Sequence, residues 1–172
     1  MKYWSVISVL AGVLLLGGCS ESPEEKAFRA QLVDKALNDE TRKAGDAFLQ
    51  DNAARPEVTV LPSGLQYQVL TQGDGPKPLL GQSVQVHYEG TRVDGEVFDS
   101  SYQRGKPAVL PLDRVIKGWR EALMQMPVGS TWMLYIPADL AYGATSPSEA
   151  IPANSTLIFK VELQAVVQPE GN

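Results

Sequence analysis

From about Val58 onward the chain alternates apolar and polar positions. Val84, Val86 and Tyr88 stand between Gln85, His87 and Glu89, the two-residue period of a half-buried strand. Leu65 to Leu70 alternates in the same way. Trp132, Leu134 and Ile136 alternate with Thr131, Met133 and Tyr135, and Leu157, Phe159, Val161 and Leu163 with Ile158, Lys160 and Glu162. Turn signals separate these runs: Pro62-Ser63-Gly64 after the short apolar stretch Thr59 to Leu61, and Gln72 to Pro76. Asp94-Gly95, between Arg92-Val93 and Glu96-Val97-Phe98, predicts a hairpin. Helical spacing shows in this region only between Pro111 and Met126, where Trp119 and Leu123 lie four apart. The pattern predicts an α+β domain, an antiparallel sheet wrapped around one short helix.

Before Val58 the period changes. Glu24 to Asn52 is rich in Ala, Glu, Lys, Leu and Gln, and reads as a helical arm. Ala27, Phe28, Leu32, Val33, Ala36 and Leu37 recur at three- and four-residue steps along one stripe, and Ala44, Ala47, Phe48 and Leu49 form a second set. Asn38 to Thr41 interrupts the stripe, with Asn38 or Asp39 as the cap of the next segment. Two readings of the arm stay open. It is a solvated spacer, or it is a dimerisation element whose Phe28/Leu32 stripe takes a partner.

The first residues read as a leader. Lys2 supplies a positive start and Tyr3 to Leu16 an apolar run, short of the ~20 residues that span a bilayer. Leu16-Gly17-Gly18-Cys19 resembles the lipobox of bacterial lipoproteins, in which cleavage leaves Cys19 as a lipidated N-terminus. A simple secretory signal with an incidental Cys, or a short membrane anchor, are the alternatives. Ser20 in place of Asp implies, by the same resemblance, sorting to the outer membrane, facing the periplasm. Cys19 is the one cysteine, so no disulfide within the chain is available. The expected organisation is a signal peptide over 1–18, a lipidated Cys and helical arm over 19–57, and a β-rich domain over 58–168. A net charge of −5 with no basic stripe argues against nucleic acid as a partner, and no Gly-rich phosphate loop is present.

The candidate chemistry is a convergence of aromatics. Parity puts Tyr88 on the core side with Val84 and Val86, Phe159 with Leu157 and Val161, and His87 on the polar face. The one His has no partners for a triad or a metal set. Asp99 follows Phe98 at the end of a hairpin strand. It reads either as a turn cap or as a pocket-wall carboxylate paired with Arg104 and bonded to Tyr88. Trp119 is either plain core or a pocket floor. Tyr142 sits before Gly143 in a loop of small residues that runs past Ile151, and its phenol can donate into an apolar cavity. A pocket walled by aromatics, with one carboxylate and no strong nucleophile, does not suit hydrolysis or redox chemistry. It suits something apolar and planar.

In order along the chain stand VHYEG, GEVFDSS, GKPA, VIKGW, AYG and IPANSTLIFKVEL. Together, over roughly Leu61 to Val167, they resemble the FK506-binding type of peptidyl-prolyl cis-trans isomerase. GKPA with Ala108, and LPSGLQYQVL at the entry, are similar to the macrophage infectivity potentiator subgroup, whose longer N-terminal helices dimerise. The resemblance implies a half-barrel and rotation of Xaa-Pro bonds in envelope proteins without cofactor or metal. It implies Asp99, Tyr142, Ile116 and Trp119 as catalytic residues, the Ile116 N–H binding a carbonyl. Tyr88, Phe98, Val115, Ile151, Phe159 and Arg104 are implied as substrate-binding residues. Proline-containing polypeptides are the implied substrates and FK506-like macrolides the implied inhibitors. The loop 146–150 lacks the His of eukaryotic members. A holdase or peptide-binding module that uses the same groove is the competing reading.

Overall fold

The computed structural model describes residues 22–37 and 39–167. The leader and Cys19 lie outside the described residues. The domain is built on an antiparallel sheet in the spatial order β1 (Val58–Val60), β2 (Gln66–Thr71), β6 (Thr131–Ile136), β7 (Leu157–Val167), β3 (Ser83–Arg92), β4 (Val97–Ser100). A further strand, β5 (Ala108–Pro111), shares the far edge of β3 with β4. It pairs with 83–86 while β4 pairs with 89–91. The long β3–β7 ladder runs from Ser83↔Val167 to Arg92↔Leu157, with a bulge at Gln85/Val86 that bends the pair.

The inward face of every long strand is the one the alternation marked. Val84, Val86, Tyr88, Trp132, Leu134, Ile136, Leu157, Phe159, Val161 and Leu163 are all buried. They close on Trp119, Ala122 and Leu123 of the short helix α3 (Lys117–Leu123). Each large side chain so buried contributes about 1.5–3 kcal/mol before chain entropy is subtracted. The Asp94-Gly95 turn forms as predicted. Gly95 has φ +86°, and Arg92 N donates to Glu96 O at 3.0 Å.

The arm is two helices, α1 (Pro23–Leu37) and α2 (Glu40–Ala53). Asp39 caps α2, its Oδ1 accepting from Thr41 N at 2.9 Å and Arg42 N at 3.2 Å. Ser22 opens α1 with a reciprocal box: its Oγ accepts from Glu25 N at 3.1 Å, and its own N donates to Glu25 Oε2 at 2.8 Å. On α1, Phe28 and Leu32 are 63% and 51% exposed.

α2 differs from both sequence readings of the arm. It lies against the outer face of β2 and β6. Leu49 is buried, and the Phe48 ring lies 6.0 Å from that of Tyr135. Asn52 Nδ2 donates to Gln66 Oε1 at 2.8 Å, and Gln66 Nε2 donates to Leu49 O at 2.9 Å. Tyr135 and Gln66, on the polar side of their alternations, are therefore buried at 4% exposure each. A second layer covers them, and their polar atoms find partners there.

Candidate functional site

A pocket of about 440 Å³ opens where the concave face of the sheet meets the start of α3. Trp119 forms its floor. Three strands supply Tyr88, Phe98 and Phe159, and the turn ahead of α3 supplies Val115 and Ile116. The loop between β6 and β7 supplies Tyr142 and Ile151, and Asp99 stands at one side. The rings meet edge to face. Trp119 lies 5.1 Å from Tyr88 at 89° and 5.1 Å from Phe159 at 86°, and Phe98 lies 5.5 Å from Phe159 at 87°. This arrangement sets the positive ring edges on negative faces. Trp119 Nε1 is buried with no hydrogen-bond partner, so ring packing alone fixes the indole.

Two glycines make the shape possible. A Cβ on Gly90 in β3 would stand 2.6 Å from Phe98 Cζ and 2.7 Å from Phe159 Cε1, so both rings lie directly on bare backbone. A Cβ on Gly118 would stand 2.5 Å from Ile136 Cγ2, so the first turn of α3 rests on β6. Ile116 is the N-cap of that helix and no side chain caps it. Backbone N–H groups at such an end lack intrahelical acceptors.

The polar side of the pocket is one connected group. Tyr88 Oη donates to Asp99 Oδ2 at 2.5 Å. Arg104 pairs with Asp99 through Nη1 and donates from Nη2 to Tyr88 Oη at 2.9 Å. Its guanidinium carbon lies 5.4 Å from the centroid of the Tyr88 ring. Burial, then the Asp99 carboxylate, push the Tyr88 phenol above its ordinary value. The hydrogen bond to Asp99 raises Arg104 further. The phenol donates and the carboxylate accepts, both oriented by the guanidinium.

Of the residues singled out from the sequence, Asp99, Tyr142, Ile116, Trp119, Tyr88, Phe98, Val115, Ile151 and Phe159 all line this pocket. Arg104 does not. Its planar fork is engaged by Asp99 and Tyr88 behind the wall, so it reaches the pocket only through them. His87 lies on the opposite face, half-buried, with Nδ1 2.8 Å from Ser101 Oγ and its ring stacked 4.6 Å from Tyr102. The sequence reading missed Leu110, Arg114, Pro147 and Ser148 in the lining. Leu110 belongs to the edge strand β5 and Arg114 to the short turn Leu112–Arg114 ahead of α3, and Pro147 and Ser148 lie in a loop with no period to read.

The described residues thus form an antiparallel half-barrel closed on one helix, with an aromatic pocket and a held carboxylate at its mouth. Residues 75–164 match the family model for the FKBP-type peptidyl-prolyl cis-trans isomerase, and residues 19–69 that for the domain amino-terminal to it. The chain belongs to the FKBP-type peptidyl-prolyl cis-trans isomerase family. It is 51% identical over 128 residues to the outer membrane protein MIP of Legionella longbeachae, covering 74% of this chain and 55% of that one. It is 42% identical over 167 residues to the macrophage infectivity potentiator of Trypanosoma cruzi, covering 96% and 85%. The crystal structure of a peptidyl-prolyl cis-trans isomerase from Pseudomonas syringae superposes with a TM-score of 0.70 at 41% identity, over 74% of this chain and 94% of that one. The chain spans about half the length of bacterial curated relatives such as the Legionella protein.

Proposed function

We propose that the protein accelerates rotation about Xaa-Pro bonds in envelope polypeptides. The observation that carries this reading is the pocket itself, five aromatic residues around one hydrogen-bonded carboxylate with no cysteine or histidine in its lining. The barrier to rotation is about 18–20 kcal/mol and comes from amide resonance. Resonance makes the planar amide the more polar form, and water stabilises it. Twisting removes the resonance and leaves a less polar bond. An apolar pocket therefore binds the twisted amide better than the planar one, which is catalysis by differential binding.

In this reading Trp119, Phe98, Val115, Ile116 and Phe159 hold the proline ring. Tyr142, the Ile116 N–H and Asp99 orient the carbonyl end. A thousandfold gain requires only about 4 kcal/mol, within the reach of packing and two or three oriented groups. FK506-like macrolides are the inhibitors that this reading implies for the same pocket.

Anchoring at the outer membrane through a lipidated Cys19, facing the periplasm, completes the proposal. The leader pattern supports it, as does the likeness to a relative named an outer membrane protein. A second reading, in which the chain holds unfolded clients or pairs with its own copy through α1, is favoured by the exposed Phe28 and Leu32.

The test uses residues 20–172 without lipid and the cis-to-trans relaxation of a short Xaa-Pro peptide, with and without FK506. Acceleration abolished by FK506 supports the isomerase. A folded protein that gives no acceleration, yet suppresses aggregation of a proline-free client, overturns it in favour of the holdase.

A further inference from the structure

The loop that brings Tyr142 and Ile151 to the pocket, residues 137–156, is held at three places. Near its tip, Arg92 of β3 donates from Nη1 to Ala150 O at 3.0 Å, one residue before Ile151. At its neck the two limbs meet. Gly143 N donates to Ala138 O at 2.8 Å, and Asn154, at φ +61°, donates from its N to Gly143 O at 2.7 Å. The third hold comes from outside the sheet domain. Arg42 of α2 grips Asp139 with both arms of its guanidinium, Nη1 to Oδ1 at 2.9 Å and Nη2 to Oδ2 at 2.8 Å.

Asp139 lies in the short turn Ala138–Leu140, three residues before Tyr142. A bidentate pair fixes orientation as well as distance, because the planar fork matches the planar carboxylate. The pair holds the Asp139 carboxyl below its ordinary range. The same helix touches the other limb. A Cβ on Gly45 would overlap Thr156 Oγ1 and stand 2.9 Å from Thr156 Cβ, so the bare backbone of α2 rests on the chain where the loop returns to β7.

Arg42, Gly45, Leu49 and Asn52 follow one another at helical steps and form a single stripe. The stripe contacts Asp139, Thr156 and β2 in turn, and Phe48 beside it meets Tyr135 of β6. A glycine in the middle of a helix is unfavourable relative to alanine. Its presence at the closest approach to the loop is explained by docking.

We propose that Arg42 is a positioning residue of the isomerase site. Through Asp139 it sets the neck of the 137–156 loop, and so the place of the Tyr142 phenol at the pocket mouth. The arm helix α2 is then part of the catalytic unit, not a handle attached to it. This inference rests on the isomerase reading given above. The pair is partly exposed, with Arg42 and Asp139 side chains 23% and 66% accessible, so its contribution to global stability is small. Its effect on a loop whose phenol must stand within hydrogen-bond reach of a rotating carbonyl is larger, since small misplacements of such groups reduce rate steeply.

The test uses the chain from residue 20 with Arg42→Ala, Arg42→Lys, Tyr142→Phe and the Arg42→Ala/Tyr142→Phe pair. Asp46→Asn is the control, because Asp46 is the other carboxylate near Arg42, 3.7 Å away on the same helix. Three readouts are taken: kcat and KM for an Xaa-Pro peptide, amide hydrogen exchange, and the melting temperature.

Arg42→Ala is expected to lower kcat/KM about threefold or more, mostly in kcat, with the melting temperature moved by about 2 °C or less. Arg42→Lys recovers part of the loss, and Asp46→Asn changes none of the readouts. In the Tyr142→Phe background, Arg42→Ala adds little further loss. Exchange rises at 138–143 and 154 and stays unchanged in β3 and β7. An undiminished rate for Arg42→Ala overturns the proposal, as does a loss that persists in full in the Tyr142→Phe background. A wild-type chain without activity overturns the isomerase reading instead. The exchange data then decide alone, and unchanged exchange at 138–143 in Arg42→Ala refutes the positioning role.

Discussion

Replacing Tyr88 by Phe removes one oxygen from the pocket wall and leaves the ring. The ring makes an edge contact with Trp119 at 5.1 Å and a tilted one with Phe159 at 6.3 Å, and neither uses the hydroxyl. What is lost is the donor to Asp99 at 2.5 Å and the acceptor for Arg104 Nη2 at 2.9 Å, a nitrogen that water can reach. A hydrogen bond to a charged acceptor contributes about 1.5–3 kcal/mol when the acceptor is left bare. The Asp99 side chain is 39% exposed and keeps Arg104, so water recovers part of that. The expected destabilisation is about 1 kcal/mol, or about 2–4 °C in melting temperature for a chain of this size. If Asp99 must be held to orient the substrate carbonyl, at most the same free energy appears in the barrier, which is about fivefold in kcat/KM. Thermal unfolding and peptide relaxation on one sample give both numbers. A Tyr88→Phe variant with the expected melting shift and an unchanged rate would refute the orienting role of Asp99. A loss above about 3 kcal/mol would show that the ring itself had moved.

Asp99→Leu should reduce turnover more than stability, and peptide relaxation beside thermal melts reads the split. Gly90→Ala places a methyl against Phe98 and Phe159. Overpacking of this kind costs about 1–3 kcal/mol, and FK506 affinity measured by titration calorimetry should fall with it. Asn154→Ala should destabilise more than Asn154→Gly, because only the latter tolerates φ +61° without strain, and denaturant midpoints decide between them. The Tyr88 phenol is raised above its ordinary value. The stability linked to it is fully present below about pH 10 and is lost as pH rises from there, since the unfolded chain releases that proton first. Denaturant midpoints measured across that range should fall more steeply for the parent than for Tyr88→Phe.

Strand parity made two of the pocket's aromatics legible. Once Val84 and Val86 are placed inside, Tyr88 has no other face to take, and Leu157 and Val161 do the same for Phe159. The hairpin followed from Asp94-Gly95 and the second helix from Asp39, because turns and caps depend on a few adjacent atoms. The convergence of Phe98, Trp119 and Tyr142 on one pocket is a matter of non-local packing that no local period encodes. For it the order of short strings resembling a known family was the guide. That guide fails where this chain uses its own contacts.

The strand Ala108–Pro111 was missed because Pro107 and Pro111 bracket it and suppress the strand signal. As an edge strand it tolerates both. The docking of α2 was missed for a different reason. Its inward stripe is Arg42, Gly45, Leu49 and Asn52, a set with one apolar member. A hydrophobic-stripe argument looks for burial driven by apolar area. Here the interface is specified by a paired charge, a missing side chain and an amide pair, each meaningful only with its partner in place. Such interfaces contribute little free energy and much orientation. That is the character expected of an element that sets the position of a pocket loop without holding the fold together.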